Sequence, residues 1–462
     1  MTLKSSALPS LLTVALLAIA TAGFAADRAP NQPALAKGPP ANWTFETAAL
    51  KSLKPSAAQV LTRPAAATGD YDVAKAPPSV RFGVLPGQWT GASLWSAWGD
   101  AIFASDTNFY CSIGDHAAPH GWAYVYQVNP RSGAIQMIVD VNQILKIPAA
   151  DYAPGKIHAP LMEHDGALLF AGYRGGKGVD DEHHYKGDAL IRWSLADGAT
   201  TSFDPPAPFC SFAASVIHAP SKSIYGVGPG GARLNGEARF FVYDIEARKT
   251  RFCGTPQPDV TRAIVVAPDG RAWYSSGGGK DATSRFARYD PKTKKATLMD
   301  LAVPGNMLRA ASRCNDDGIA YCISNDGVLF TFDTRTEKVR VVGKSFDAGP
   351  AYTAVCKLSP DGRYLYYAPG AHGGADGVGC PVVQLDTRTN RRKVVAFLFD
   401  YLKGNANYHT GGSFGLDVSA DGATLGICFN GWKMDETRSA QGLKSFDQVS
   451  VVLLDIPASE RP

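Results

Sequence analysis

The chain reads as an all-β protein, a seven-bladed β-propeller, on three observations. An apolar strand, a tight turn and a second apolar strand recur along it, the turns being SDTN (105–108), HDGA, APSKS, APDGR, NDDGI, SPDGR and SADGA. Each copy closes on a strand with a shared ending: YQVNPRSG, RWSLADG, VYDIEARK, RYDPKTKK, TFDTRTEK, VQLDTRTN and LLDIPASE. The aligned ending positions, Asn129, Ser194, Asp244, Asp290, Asp333, Asp386 and Asp455, are separated by 65, 50, 46, 43, 53 and 69 residues. Four-stranded blades repeat at about 40–50 residues, and the longer intervals leave room for inserted loops. A two-domain sandwich also has many short strands, but it would not repeat one turn and one ending in the same order seven times.

The residues before the repeats divide in two. The stretch MTLKSSALPSLLTVALLAIATAGFAADRAP has one early lysine, an apolar run from Leu11 to Ile19 and small residues around Gly23 to Ala26. That is the pattern of a secretory signal peptide over residues 1–25, so a secreted or periplasmic product is expected. The cleavage region has no cysteine, which argues against a lipoprotein. Residues 26–84 are rich in Pro, Ala and Lys and read as a largely irregular leader, with one short helix around Phe45 to Leu53. The propeller is expected over residues 85–462. No later run is long and apolar enough to span a bilayer.

The sequence holds 46 Lys+Arg against 42 Asp+Glu, and removing residues 1–25 takes away only Lys4. So balanced a charge gives no reason to expect nucleic acid or a membrane surface as a partner. Eight cysteines, at positions 111, 210, 253, 314, 322, 356, 380 and 428, are scattered without a CxxC pair and read as buried thiols. A monomer is the expected state.

In a propeller the first strand of each blade lines the central channel, so counting back from the turn Asp gives an address on that strand. His158, in GKIHAPLMEHDGALLFAGY, stands seven residues before Asp165, and Arg262, in TRAIVVAPDG, stands seven before Asp269. Arg309, in MLRAASRCNDDG, is one residue out of that register. A single histidine ordinarily serves as a structural hydrogen-bonding group. A histidine and an arginine at one address point instead to a ligand site, because ligands gather where ring-shaped folds converge.

The loops add further polar groups. His116 and His120 lie between two strands of the first blade, and Tyr173, Arg174, His183, His184 and Tyr185 occupy the corresponding long loop of the second. Tyr225, Arg233 and Arg239 come from the third blade. A solvated polar loop is the plain alternative for any one of them. Late in the chain, Cys356, His372, Cys380 and His409 form a set of donor types that can hold zinc, although the short ligand spacings of familiar zinc sites are absent. Trp95, Trp98 and Trp122 are candidates to stack on sugar rings, against a core role.

The segments GDH…GWAYVY, PGKIH, IYG…FFVYD, TRAIVVAPDGRAWY, SPDGRYLYYAPGAHGG and LLDIPASERP resemble secreted seven-bladed bacterial polysaccharide lyases of the ulvan lyase group. More distantly the chain is similar to oligogalacturonate and rhamnosyl-glucuronate lyases. The resemblance covers most of residues 85–460 and implies β-elimination on a uronate-containing glycan. A cation neutralises the uronate carboxylate, a histidine or tyrosine takes the C-5 proton, and a tyrosine protonates the leaving oxygen. Carried onto this sequence, it implies catalytic roles among His158, Tyr225, Arg239 and Arg262. Substrate contacts are expected from His116, His120, Tyr173, Arg174, His184 and Arg309. Some members of the group hold a structural zinc on Cys and His, which gives the set Cys356, His372, Cys380 and His409 its interest. The group has a second histidine beyond the first, where this chain offers Tyr173, or His183 and His184, so base and acid stay open between these residues.

Two other classes stand beside the lyase. A non-catalytic propeller can bind glycan or protein at its face, since fold alone does not fix function. A propeller glycoside hydrolase needs two carboxylates about 5–9.5 Å apart. The channel addresses show His and Arg, while Asp180, Asp181 and Glu182 in the second-blade loop keep that class open.

Overall fold

The computed structural model describes residues 48–54, 56–92, 94–174, 183–260, 262–278, 282–435 and 446–461. Its strands form seven sheets, one for each repeat, set as the blades of a propeller. The innermost strands of blades 1 to 7 are Ile102–Phe103, Met162–His164, Ala214–His218, Val265–Val266, Leu308–Ala311, Cys356–Leu358 and Tyr408–Val418. The expected signal peptide and the carboxylates Asp180, Asp181 and Glu182 lie outside the described residues. No described helix is long and apolar enough to cross a membrane.

The repeated ending has a physical cause. Its Asp or Asn terminates the third strand, and the side-chain oxygen then accepts backbone N–H groups two and three residues on. Asn129 bonds Arg131 N and Ser132 N at 2.9 Å each, Asp333 bonds Arg335 N at 2.8 Å and Thr336 N at 3.2 Å, and Asp386 bonds Arg388 N at 2.9 Å and Thr389 N at 3.1 Å. This Asx turn reverses the chain into the outer strand.

The cores lie between blades. Seven buried apolar clusters each draw residues from two neighbouring sheets, one cluster for each interface around the ring. Side chains alternate along a strand. In Phe109–Gly114, Phe109, Cys111 and Ile113 therefore face blade 7 while Tyr110 faces blade 2. Both faces of each sheet are covered, so the middle strands read as nearly continuous apolar runs.

Blade 7 is completed from the other end of the chain. Ser79–Val84 pairs antiparallel with Gln448–Asp455, Ser79 opposite Asp455 and Val84 opposite Ser450. Arg81 forms a 2.7 Å ion pair with Asp455 across this seam. The expected boundary at residue 85 thus shifts to Ser79. The leader is also less irregular than its composition suggests. Ala48–Ala49 extends blade 1, Lys51–Leu53 pairs outside Ser79–Val84, and Asp72–Val73 adds a parallel strand to blade 6. In the described part of the helix expected around 45–53 there are the strands Ala48–Ala49 and Lys51–Leu53, and the nearest described helix is Ala57–Val60. One isolated helical turn is costly to nucleate, whereas an exposed sheet edge offers ready partners.

Leu454, fully buried between blades 6 and 7, tests the seam. Leu454→Ala is expected to lower stability by about 2–5 kcal/mol, read as a lower urea midpoint. Deleting residues before 85 should prevent blade 7 from closing and give aggregated protein in size-exclusion chromatography.

Candidate functional site at the channel mouth

Because successive strands alternate in direction, the starts of the inner strands and the loops joining second to third strands share one end of the channel. The DG turns share the other. Counting back from the turns places a ring of side chains at the first end. His158, Arg262 and Phe414 stand seven residues before Asp165, Asp269 and Asp421; Trp98 and Arg309 stand eight before Asp106 and Asp317; Lys156 and Tyr352 stand nine before Asp165 and Asp361.

The blade 2 segment reaches its place through close backbone approach. The carbonyl of Gly155 accepts His116 N at 2.9 Å, and a Cβ at Gly155 would stand 2.8 Å from Ala117 N. Glycine is therefore required where PGKIH leans on the blade 1 loop. His158 follows, and its Nδ1 lies 2.8 Å from the carbonyl of Ala213. A carbonyl only accepts, so Nδ1 carries the proton and Nε2 keeps a lone pair. Burial first, then Arg262 and Lys156, hold this imidazole well below its usual pKa. Tyr173 stacks on it with ring centres 4.4 Å apart, and burial pushes the Tyr173 phenol above its usual value.

Three cations converge here. Arg262 crosses from blade 4, its Nη1 donating to the His158 carbonyl at 3.3 Å, with the guanidinium 4.6 Å from the Phe414 ring. Arg309, from blade 5, lies 4.6 Å over the ring of Tyr352. Lys156 Nζ stands 4.8 Å from the Trp98 ring and 5.1 Å from that of Tyr173. Among the described residues none of the three forms an ion pair, and the buried Nε and Nη2 of Arg262 and Nε of Arg309 have no hydrogen-bond partner. Burial lowers Arg262 to about 9, with Asp100 pulling the other way. Burial and Arg262 depress Arg309, and burial with Arg262 brings Lys156 down to about 7. Deeper in the channel, Lys357 takes up the nearby acids, at 2.8 Å from Asp100 and 3.9 Å from Asp417.

Unpaired buried charge is costly. A mouth built from Arg262, Arg309 and Lys156 is therefore arranged for an anion, which would supply the missing acceptors. Arginine suits a carboxylate, since its planar fork offers two parallel N–H groups.

A second histidine and tyrosine face the first pair from blade 6. His372 stacks on Tyr352 with ring centres 4.3 Å apart and stands 5.7 Å from Trp98. Burial, then Arg309 and Arg262, pull His372 down to about 4. Gly412 permits this placement, since a Cβ there would lie 2.1 Å from the carbonyl of Ala371. Trp98, Phe414, Phe446 and Ala371 form the apolar wall on the blade 7 and blade 1 side. His116 borders the same wall, 5.2 Å from Trp98.

Several expected site residues lie elsewhere. Tyr225 is buried at the opposite end of the channel, where its hydroxyl donates to Gly270 O at 2.9 Å in the blade 4 turn. Its strand runs towards the mouth, but Tyr225 sits near that strand's start. Arg239 opens the third strand of blade 3 and pairs with Glu237 at 2.8 Å, away from the inner strands. Arg174 pins blade 2 to blade 3, its backbone N donating to Ser211 Oγ at 2.7 Å and its Nη2 to Gly230 O at 3.1 Å. His184 pairs with Asp151 at 2.8 Å on the surface, and His120 packs edge-on against His183 at 5.0 Å. Trp95 is wholly buried against Trp89 and Tyr124, and Trp122 packs on the same cluster, leaving Trp98 as the tryptophan of the mouth.

The four expected zinc ligands have separate surroundings. Cys356 Sγ points at the carbonyl of Tyr321, 3.7 Å away, and Cys380 Sγ lies 2.8 Å from Thr410 Oγ1. His409 stacks on Trp432 at 3.6 Å, and His372 belongs to the mouth. No group of three or more His, Cys, Asp or Glu side chains able to hold a metal forms among the described residues. All eight cysteines are free thiols.

No known protein family matches the chain, and no curated protein matches it. The seven-bladed propeller is the part of the sequence resemblance that the structure supports.

The mouth predicts a pH dependence with a definite sign. Below about pH 7 Lys156 is an ammonium and adds to the pull on an anion; above it, the free protein must take up a proton to regain that charge. By calorimetry, the Kd of an acidic oligosaccharide should be flat just below pH 7 and rise above it, by up to about tenfold per pH unit. Lys156→Gln should bind more weakly and lose the slope.

Proposed function

We propose that the protein is a secreted polysaccharide lyase that cleaves uronate-containing glycans by β-elimination. The observation that carries this reading is two buried arginines that form no ion pair among the described residues, beside a histidine whose tautomer leaves Nε2 free. The C-5 hydrogen of a uronate is acidic enough to leave only when the adjacent carboxylate is neutralised. Arg262 and Arg309 are suited to that task, and their attraction strengthens as negative charge builds in the enolate-like transition state.

The same neutralisation prepares the base. In the free site burial, and then the surrounding cations, oppose protonation of His158. A bound carboxylate cancels part of that field, so the imidazole gains basicity when substrate is present. Tyr173, stacked on it, holds the ring in orientation, and Trp98 offers an apolar face to the sugar. Hydrolysis fits less well, because Asp100 and Asp417 are tied to Lys357 beneath the mouth. A secreted or periplasmic location, expected from the leader, would bring such an enzyme to its polysaccharide.

The test is incubation with a panel of uronate polysaccharides while following the ultraviolet absorbance of the unsaturated product. His158→Ala should lower kcat by about 100-fold or more with the fold intact by circular dichroism. Arg262→Ala should weaken binding and turnover together, because the unneutralised carboxylate opposes both ground and transition states. Glycan binding with no absorbance change for any polymer would make the protein a binding module.

A further inference from the structure

Cys111 and Cys428 meet across the interface between blade 1 and blade 7. Both are 1 % exposed, and both belong to the apolar cluster that joins these two sheets. The packing sets them at one level. The ring of Phe109, in the second strand of blade 1, lies 2.4 Å from where a Cβ on Gly426 would stand, in the second strand of blade 7, Thr424–Lys433. Second strands run the same way in every blade and their side chains alternate, so two residues on Cys111 comes opposite Cys428. Two residues further, the side chain of Asn430 grips Ala97 of blade 1, accepting from its N at 2.7 Å and donating to its O at 3.0 Å. Gly415, the ladder partner of Cys428, lets the sheets come close, since a Cβ there would stand 3.1 Å from that of Ala101. The thiols themselves interact. Burial pushes the Cys428 thiol well above its usual pKa, and its hydrogen bond with the Cys111 thiol adds to the rise.

We propose that Cys111 and Cys428 are a disulfide-forming pair that staples blade 7 to blade 1. Ring closure gives the bond its use. The strands Tyr408–Val418, Thr424–Lys433 and Gln448–Asp455 follow blade 6 in the chain, and they reach blade 1 only by packing and by pairing with Ser79–Val84. The two cysteines are more than 300 residues apart, so a bond between them makes nearly the whole ring one covalent loop, and a cross-link that closes a long loop restricts the unfolded chain strongly. Blades 7 and 1 also carry the Trp98, Phe414 and Phe446 wall of the mouth. The staple holds that wall together, whether or not the mouth is a lyase site.

The oxidant is a disulfide of the kind that thiol oxidases present in an oxidising compartment. One cysteine thiolate attacks it, forming a mixed disulfide and releasing the oxidant's first sulfur as a thiol. The second cysteine thiolate then attacks the protein sulfur of the mixed disulfide, and the oxidant's other sulfur leaves. Two protein thiols thereby lose two protons and two electrons, and the oxidant disulfide is reduced to two thiols. Burial sets the timing. In the closed ring neither sulfur meets solvent and Cys428 supplies little thiolate, so the exchange belongs to folding, before blade 7 docks, and the finished bond is shielded from reductants.

The experiment exports the full chain to an oxidising bacterial periplasm, blocks free thiols with iodoacetamide in denaturant and maps the peptides by mass spectrometry, with the same chain made in a reducing cytosol beside it. The exported protein should yield the Cys111 and Cys428 peptides joined and lighter by two hydrogens, while the cytosolic protein is alkylated at all eight cysteines. Dithiothreitol should spare the bond in the folded protein and cleave it on unfolding. Cys428→Ala should remove the link and lower the Tm of the exported protein by on the order of 5 °C, to that of the reduced wild type. Eight free thiols in folded, exported protein, or a link from Cys111 or Cys428 to any other cysteine, overturns the inference. The peptide map is read on the wild-type chain, so this outcome is reached even if the variant fails to fold.

Discussion

Closure of the ring is the constraint on which the rest of the structure depends. Each sheet has apolar side chains on both faces, so no blade is stable until it has a neighbour on either side, and blade 7 lacks its outer strand until Ser79–Val84 arrives. Pairing that strand with Gln448–Asp455 joins the start of the propeller to its end and leaves no unmatched blade face. Closure also fixes the geometry of the centre. Seven inner strands must start around one opening, so residues separated by more than a hundred positions, such as His158 and Arg262, come within hydrogen-bonding distance.

The channel manages charge in two different ways. Deep inside, Lys357 stands between Asp100 and Asp417, and although burial opposes its charge the two carboxylates raise its pKa above the usual value. Asp100 and Asp417 also accept backbone N–H groups, Asp100 from Leu416 at 3.2 Å and Asp417 from Phe103 at 2.8 Å, and so tie blade 7 to blade 1. That group is complete in itself. Among the described residues the cations at the mouth pair with no acid, and burial depresses all three. Folding alone gives no gain from such an arrangement, and unsatisfied buried groups of this kind are the mark of a site shaped for a ligand.

Much of this was legible in the sequence because the blade is a ruler. The turn and the strand ending mark fixed points, so His158 and Arg262 could be set at one address, and the same count applied to blades 1 and 7 reaches Trp98 and Phe414. Lys156 and Tyr352 share an address as well, two residues earlier, but a lysine and a tyrosine at a strand start are ordinarily surface residues and carry no site signal by themselves. Loops do not obey the ruler. His372 sits in a glycine-rich loop whose path depends on Gly412 pressing against Ala371, and no spacing rule reports that, so its composition suggested a metal ligand instead. Tyr225 shows the opposite difficulty. Its chemistry fitted the reaction, but its place near the start of a second strand puts it at the DG-turn end, where Gly270 engages its hydroxyl.

The neutral histidines and the unpaired cations make one device. A base that sat permanently beside a carboxylate would be protonated at neutral pH and unable to accept a proton. Burying His158, and surrounding it with Arg262 and Lys156, keeps Nε2 free, at the cost of a weak base. In the proposed lyase, an incoming uronate would weaken that opposing field while its own carboxylate is neutralised, so basicity of the protein and acidity of the ligand would rise in the same binding event. A neutral ligand would leave both unchanged. The chemistry of the mouth is thus coupled to the charge of what enters it, and that coupling requires the cations to be rigidly held yet unpaired, a condition that strands fixed by a closed ring can meet.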